Sequence, residues 1–204
     1  MPTPLKNEVD SDTALNWVDT TLAACMRRVN RHDFIRQLLL TLLVAVVAAL
    51  FLQVSLRSYV VDGESMLPGL KSGDHLVVDQ LTYRLSAPQR GDIVVFRFPQ
   101  SWSHQDLVKR VIGLPGDLVE VHPHRVLVNG QQLNEPYVQN IEEYHYGPTR
   151  VPAGAYFVLG DNREVNGHEI SYDSHQWGFL PAGFIYGKLM LTFWPLSDFR
   201  FYSL

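Results

Sequence analysis

Residues 38–56, LLLTLLVAVVAALFLQVSL, run for 19 positions without a charged side chain. Few folds can use such a segment. Its length matches the roughly 20 residues that cross a bilayer core of about 30 Å. The polar members Thr41, Gln53 and Ser55 are tolerable in a single span. A cleaved leader starts near residue 1 and has a shorter apolar core, whereas more than 30 residues precede this one. A buried helix of a soluble domain rarely stays apolar on all faces for five turns. Arg27, Arg28, Arg31 and Arg36 lie before the segment. After it come Arg57 and then no basic residue until Lys71. The positive-inside rule therefore predicts a cytoplasmic N-terminus and an extracytoplasmic remainder. We expect a cytoplasmic tail over 1–35, a transmembrane helix over 36–57 and one domain over 58–204.

Net charge is −4, with no basic stripe of the kind that binds nucleic acid. Cys25 is the only cysteine, which excludes an intramolecular disulfide and a CxxC metal or redox site. The outer domain must be held by its core, and roughly 147 residues suffice for one.

Beyond Arg57 the helical period disappears. Residues 94–98, 118–121, 125–128 and 156–159 are short, apolar and rich in β-branched or aromatic side chains. Turn signals separate them at Pro88, Gly91, Pro115-Gly116 and Gly147-Pro148. Asn129-Gly130, between two strand-like runs, is a strong hairpin signal. Residues 74–85, DHLVVDQLTYRL, read as strand. The predicted fold class is mainly β, built from short antiparallel strands behind one N-terminal transmembrane helix. We expect its core over 58–114 and 151–204, with a smaller β insertion over 115–150.

Three blocks carry potential chemistry. In VDGESMLPGL (61–70), Ser65 sits near Gly63 and Pro68-Gly69, in a segment that must bend tightly and can expose a hydroxyl. In LVKRVIGLPGD (107–117), Lys109 lies inside an apolar strand. It either faces solvent by alternation or is buried. Burial disfavours the charged amine and lowers its pKa from about 10.4, giving a competent general base. The polar residues of GDNR (160–163) and SYDSHQWGFLP (171–181) suggest a hydrogen-bonded framework between apolar strands.

These blocks, in this order and after a membrane span, resemble the bacterial type I signal peptidases, Ser/Lys proteases of family S26, over essentially residues 36–204. The resemblance implies a serine endopeptidase that removes signal peptides from exported precursors, cleaving after small residues in an Ala-x-Ala pattern. It makes Ser65 the nucleophile and Lys109 the general base. Ser171 would orient the lysine amine. The Ser65 N–H would form part of the oxyanion hole. Many members carry serine where Gly63 stands, its hydroxyl completing the hole; with glycine the second donor must be a backbone group or water. Val61, Met66, Leu70, Leu107 and Val108 would line shallow apolar pockets. Arg110, Asp161, Arg163 and Asp173 would form the supporting ionic framework. No metal and no organic cofactor are implied. The partners are signal-peptide-bearing preproteins and membrane lipid, with no nucleic acid, acting on a monomer. The location is the cell membrane, or a thylakoid membrane in a photosynthetic source.

Two departures from the family pattern stand out. His175 occupies a position that is usually arginine, a variant similar to cyanobacterial and plastid members. No local motif supports a Ser/His/Asp triad through it. The second serine usually follows the GDNR arginine by three residues, whereas here five more intervene. Added loop residues cost little entropy, so the loop can still return Ser171 to its place. Ser65 lies eight residues beyond Arg57, a reach of roughly 26 Å when extended, which keeps the site near the membrane. Trp102, Trp177, Phe193 and Trp194 are candidates for the lipid interface. The other readings are a self-cleaving repressor-like Ser/Lys protease, which would carry a DNA-binding domain in place of the span, and a membrane-tethered binding module with a degenerate protease site. A binding module would keep its function with alanine at Ser65.

Overall fold

The computed structural model describes residues 31–97, 106–138, 144–163 and 173–202. The chain divides into two compact units, with the boundary between Phe51 and Leu52. Helix α1 (Arg31–Ser55) has 25 residues. At 1.5 Å per residue it is about 37 Å long, enough to cross a bilayer core. Its leucines and valines are exposed on every face and only Ser55 is buried. A soluble core helix buries a stripe, so these exposed apolar residues mark a membrane anchor. The expected span ran to Arg57. The helix stops at Ser55 because Leu56 and Arg57 are drawn into a strand, paired with Asp79 and Val78.

The second unit is built from antiparallel strands. In chain order they are β1 (Leu56–Val60), β2 (His75–Asp79), β3 (Ile93–Phe96), β4 (Leu107–Gly113), β5 (Leu118–His122), β6 (Arg125–Val128), β7 (Gln131–Gln132), β8 (Tyr146–Arg150), β9 (Ala155–Leu159), β10 (Leu180–Pro181), β11 (Ile185–Trp194) and β12 (Arg200–Phe201). The larger sheet has the order β1-β2-β11-β3-β4-β9-β10, with β12 on β11. The smaller has the order β7-β6-β5-β8. Two short α-helices, α2 (Thr82–Leu85) and α3 (Ser174–Trp177), and two 3-10 turns, Ala182–Phe184 and Leu196–Asp198, complete the regular structure among the described residues.

Strands β3 and β9 read as unbroken apolar runs because both of their faces are covered. Val94, Phe96, Tyr156 and Val158 fill one cluster. Ile93 and Val95 pack instead with Met66, Leu70, Leu76 and Leu189. Phe157 and Leu159 join Val119, Val121, Val126 and Val151 against the smaller sheet. β4 lies between β3 and β9, so its side chains are enclosed by neighbours on two sides.

Asn129 and Gly130 have φ of 53° and 77°, the positive values of a type I′ hairpin turn, and they join β6 to β7 as expected. Two other expectations fail locally. Residues 74–85 are not one strand: β2 ends at Asp79, whose carboxylate accepts from the N–H groups of Leu81 at 2.7 Å and Thr82 at 3.3 Å. That side chain replaces the sheet partner and turns the chain into α2. Gly147-Pro148 is not a turn but lies inside β8. β8 is an edge strand, where a residue without N–H is tolerated. Gly147 has φ of 86° beside a register shift opposite Val119 and Val121. A Cβ there would lie 2.4 Å from the Val119 carbonyl oxygen, so only glycine fits this bulge.

Candidate active site

Ser65 lies in the turn-rich connection between β1 and β2, and Lys109 in the interior strand β4. Both line one cavity of about 290 Å³. Val61, Gly63, Met66, Leu107 and Val108 line it too. Leu70 does not: it is fully buried beneath, packed with Met66 and Leu76. The remaining walls come from Tyr59, Val60, Asp62, Leu76, Val95 and Asp106. Gly63 has φ of 111°, a region that disfavours any side chain.

Consecutive residues of the GDNR block bind the two reactive segments together. Asn162 donates its backbone N–H to the Ser65 carbonyl at 3.0 Å and its side-chain amide to the Glu64 carbonyl at 3.0 Å. Its neighbour Asp161 takes a two-pronged grip from Arg110, at 2.8 and 2.6 Å. Arg110 follows Lys109 directly, so the serine loop and the lysine strand are referenced to adjacent peptides. Arg110 also donates to the Gly91 carbonyl at 2.9 Å and stacks on the Tyr137 ring at 3.8 Å.

Arg163 and Asp173 meet at Gly160. Arg163 Nε donates to the Gly160 carbonyl at 2.8 Å, and the Gly160 N–H donates to Asp173 Oδ2 at 3.2 Å. The guanidinium of Arg163 also pairs with Glu135, at 2.5 and 3.3 Å. Glu135 carried no signal in the sequence, because nothing local marks a partner 28 residues away. Asp173 caps α3, accepting the His175 N–H at 3.3 Å, and its Oδ1 also meets His175 Nδ1. The His175 ring stacks on Tyr144 at 4.3 Å. Ser171 and residues 164–170, the stretch that carries the five additional residues, lie outside the described residues, as does Trp102.

Lys109 is 3% exposed. Burial brings its amine down to about 8 from 10.5, opposed by the carboxylates of Asp173 and Asp161. A side chain that could have faced solvent by alternation is therefore enclosed, and titrates near the pH at which a base is useful. The same burial has a cost. Below pH 8 the folded protein holds a charged amine away from water, a penalty of about 3 kcal/mol for this shift. The penalty fades between pH 8 and 10.5, where the unfolded chain binds the extra proton, and is gone above. Lys109→Met is expected to unfold at higher denaturant concentration than the parent at pH 7. The gap should close by about pH 10.5; a gap independent of pH would count against the buried amine.

The arrangement is a hydroxyl and a poised amine on one apolar cavity. A family model described as "Signal peptidase, peptidase S26" matches residues 33–194. The chain belongs to this family. Signal peptidase I of Leptolyngbya laminosa is 42% identical over 157 residues, covering 72% of this chain and 75% of that protein. Signal peptidase I of Bacillus caldolyticus is 40% identical over 173 residues, covering 78% and 90%. A crystal structure of a signal peptidase I from Enterococcus faecalis V583 aligns at 34% identity with a TM-score of 0.42, over 52% of this chain and 98% of that one. The family match begins two residues into α1 and ends at the last residue of β11, so it includes the anchor of this peptidase together with Ser65, Lys109 and the GDNR block.

Proposed function

We propose that the chain is a membrane-anchored serine endopeptidase that removes signal peptides from precursor proteins, with Ser65 as nucleophile and Lys109 as general base. The observation that carries this reading is a buried lysine with a lowered pKa sharing a cavity with a serine, in a chain of the signal peptidase family. The neutral amine takes the Ser65 proton as Oγ attacks the scissile carbonyl. The Ser65 N–H is aimed at the developing oxyanion, and a backbone group or water supplies the second donor, because Gly63 has no side chain to offer. Lys109 then gives its proton to the departing amine. It next takes one from the water that attacks the acyl-enzyme ester and hands it to the departing Ser65 Oγ, which restores the hydroxyl and the neutral amine. In this reading Ser171 orients the amine.

Val61, Leu76, Val95, Leu107 and Val108 give the cavity aliphatic walls, which suit small side chains at the A-x-A-like positions of signal peptides. The precursor lies extended along Leu107–Lys109, the part of β4 that pairs with β3 but not with β9, its backbone hydrogen bonds setting register. The arginines before the charge-free run, Arg27, Arg28, Arg31 and Arg36, orient the N-terminus to the cytoplasm. Trp194, one of the candidates for the lipid interface, is exposed together with Leu196, Phe199 and Phe201, and these four side chains supply the lipid contact. Trp177 packs on Phe96 and Phe193 on His75, contacts that leave less of each ring for lipid.

The test is cleavage in detergent of a purified precursor with an Ala-x-Ala site, the new N-terminus being read by mass spectrometry. One cut after the last alanine is expected. Leucine at that alanine should slow cleavage at least about a hundredfold, an apolar pocket rejecting excess volume by a few kcal/mol. Equal rates for both substrates would sink the small-residue reading.

A further inference from the structure

Both arginines that brace the reactive segments also rest on a short stretch of chain after β7. Leu133 is held to β6 by its N–H on the Val126 carbonyl at 2.9 Å, and the chain then turns on itself. The Val138 N–H donates to the Glu135 carbonyl at 3.1 Å, with Pro136 at the corner that a proline ring pre-sets. The turn brings two side chains together: the Tyr137 hydroxyl donates to Glu135 Oε1 at 3.1 Å. Glu135 takes the Arg163 guanidinium at 2.5 and 3.3 Å. The Tyr137 ring carries the Arg110 guanidinium at 3.8 Å. Arg110 in turn grips Asp161, and Arg163 holds the Gly160 carbonyl. These contacts close into a ring, from Tyr137 to Glu135, Arg163, the Gly160-Asp161 peptide, Arg110 and back to Tyr137. Asn162, which holds the carbonyls of Ser65 and Glu64, lies in the chain between two members of that ring.

We propose that Glu135 and Tyr137 are positioning residues: they clasp Arg110 and Arg163 and so fix the spacing between the Lys109 strand and the Ser65 loop, a role that rests on the Ser65/Lys109 reading. Arg110 directly follows Lys109, and Arg163 directly follows Asn162. The Arg110–Asp161 pair ties the two segments once, and the clasp ties them a second time from outside. A planar guanidinium offers an edge to hydrogen-bond acceptors and a face to an aromatic ring. Arg110 uses its edge on Asp161 and its face on Tyr137. Burial, and then the Glu135 carboxylate, push the Tyr137 phenol above its usual range, so its hydroxyl donates to Glu135 at every working pH. Neither Glu135 nor Tyr137 is among the residues lining the cavity. Their removal therefore disturbs the alignment of the reacting groups without taking away a contact to the precursor.

The experiment uses the full chain in detergent and the Ala-x-Ala precursor. Both kcat and KM are measured well below the Tm of every variant, with near-UV circular dichroism confirming the fold. Tyr137→Leu and Glu135→Ala are each expected to lower kcat by about tenfold to a hundredfold, the scale of a misplacement of up to about 1 Å between reacting groups. KM should stay within about twofold of the parent, since no contact to the precursor is lost. Tyr137→Phe, which keeps a ring under Arg110, should bring kcat back to within about threefold of the parent. The double variant Glu135→Ala/Tyr137→Leu should lose no more than about threefold beyond the worse single, because both changes open the same ring. A clasp that served stability alone would lower Tm and leave kcat of the folded enzyme at the parental value. That result overturns the proposal, as does a loss that falls on KM, or a Tyr137→Phe as slow as Tyr137→Leu. If Glu135→Ala does not fold, Glu135→Gln replaces it, with a kcat loss of at least about threefold expected from the weaker uncharged contact. Ser65→Ala separates the two levels of failure. If that variant is inactive and the clasp variants keep the parental kcat, only this inference falls; if it retains activity, the Ser/Lys reading falls as well.

Discussion

Alanine at Ser65, or at Lys109, is expected to lower kcat for precursor cleavage by at least about a thousandfold, as in other nucleophile-and-base units. The two losses should be similar and should not multiply in the double variant, because neither group does its work without the other. Ser65 acts from a loop whose backbone is held by Asn162, so its hydroxyl can be removed without loosening the fold. Near-UV circular dichroism should therefore match the parent. A loss of tenfold or less in either variant, with the fold intact, would remove that residue from the mechanism. It would also revive the tethered binding module, which needs neither group.

Asp161→Ala should be among the most destabilising single changes in this chain. The carboxylate is fully buried and its partner Arg110 is 13% exposed. Removing one member of a buried pair strands the other charge, at a cost of about 3–5 kcal/mol. For a protein of this size that lowers Tm by roughly 10 °C. The guanidinium would keep only the Gly91 carbonyl and the Tyr137 face among the contacts described. Removing both charges, with Arg110→Met added to Asp161→Leu, should recover much of the loss, since an apolar replacement of a buried pair is often neutral or stabilising. If the double variant is no more stable than Asp161→Ala, the pair is not isolated as drawn, and the damage comes from freeing Asn162 and the serine loop.

What the sequence disclosed was local. A charge-free run announced α1, Asn129-Gly130 announced the β6–β7 turn, and the short apolar runs of β3 and β9 announced strands. Lys109 stood in a strand, but its burial depended on β3 and β9 flanking β4, which no window of residues reports. Leu70 resembled a pocket residue yet faces the core, because the loop carrying Ser65 folds back over it. Glu135 could not be found at all, since its value comes from Arg163, far away in the chain. Asp79 and Gly147 misled for a shared reason: the hydrogen bonds of one side chain ended β2, and a single bulge let a glycine and a proline stay inside β8.

Gly160 has a consequence for how the chain can change over time. Arg163 holds its carbonyl and Asp173 holds its amide, so both ends of the intervening segment are fastened to one residue. Chain added between these fastenings does not alter the spacing of anything outside them. The segment can lengthen without disturbing the strand that bears Lys109 or the loop that bears Ser65. It is a port at which evolution, or an engineer, can graft new sequence beside a working protease.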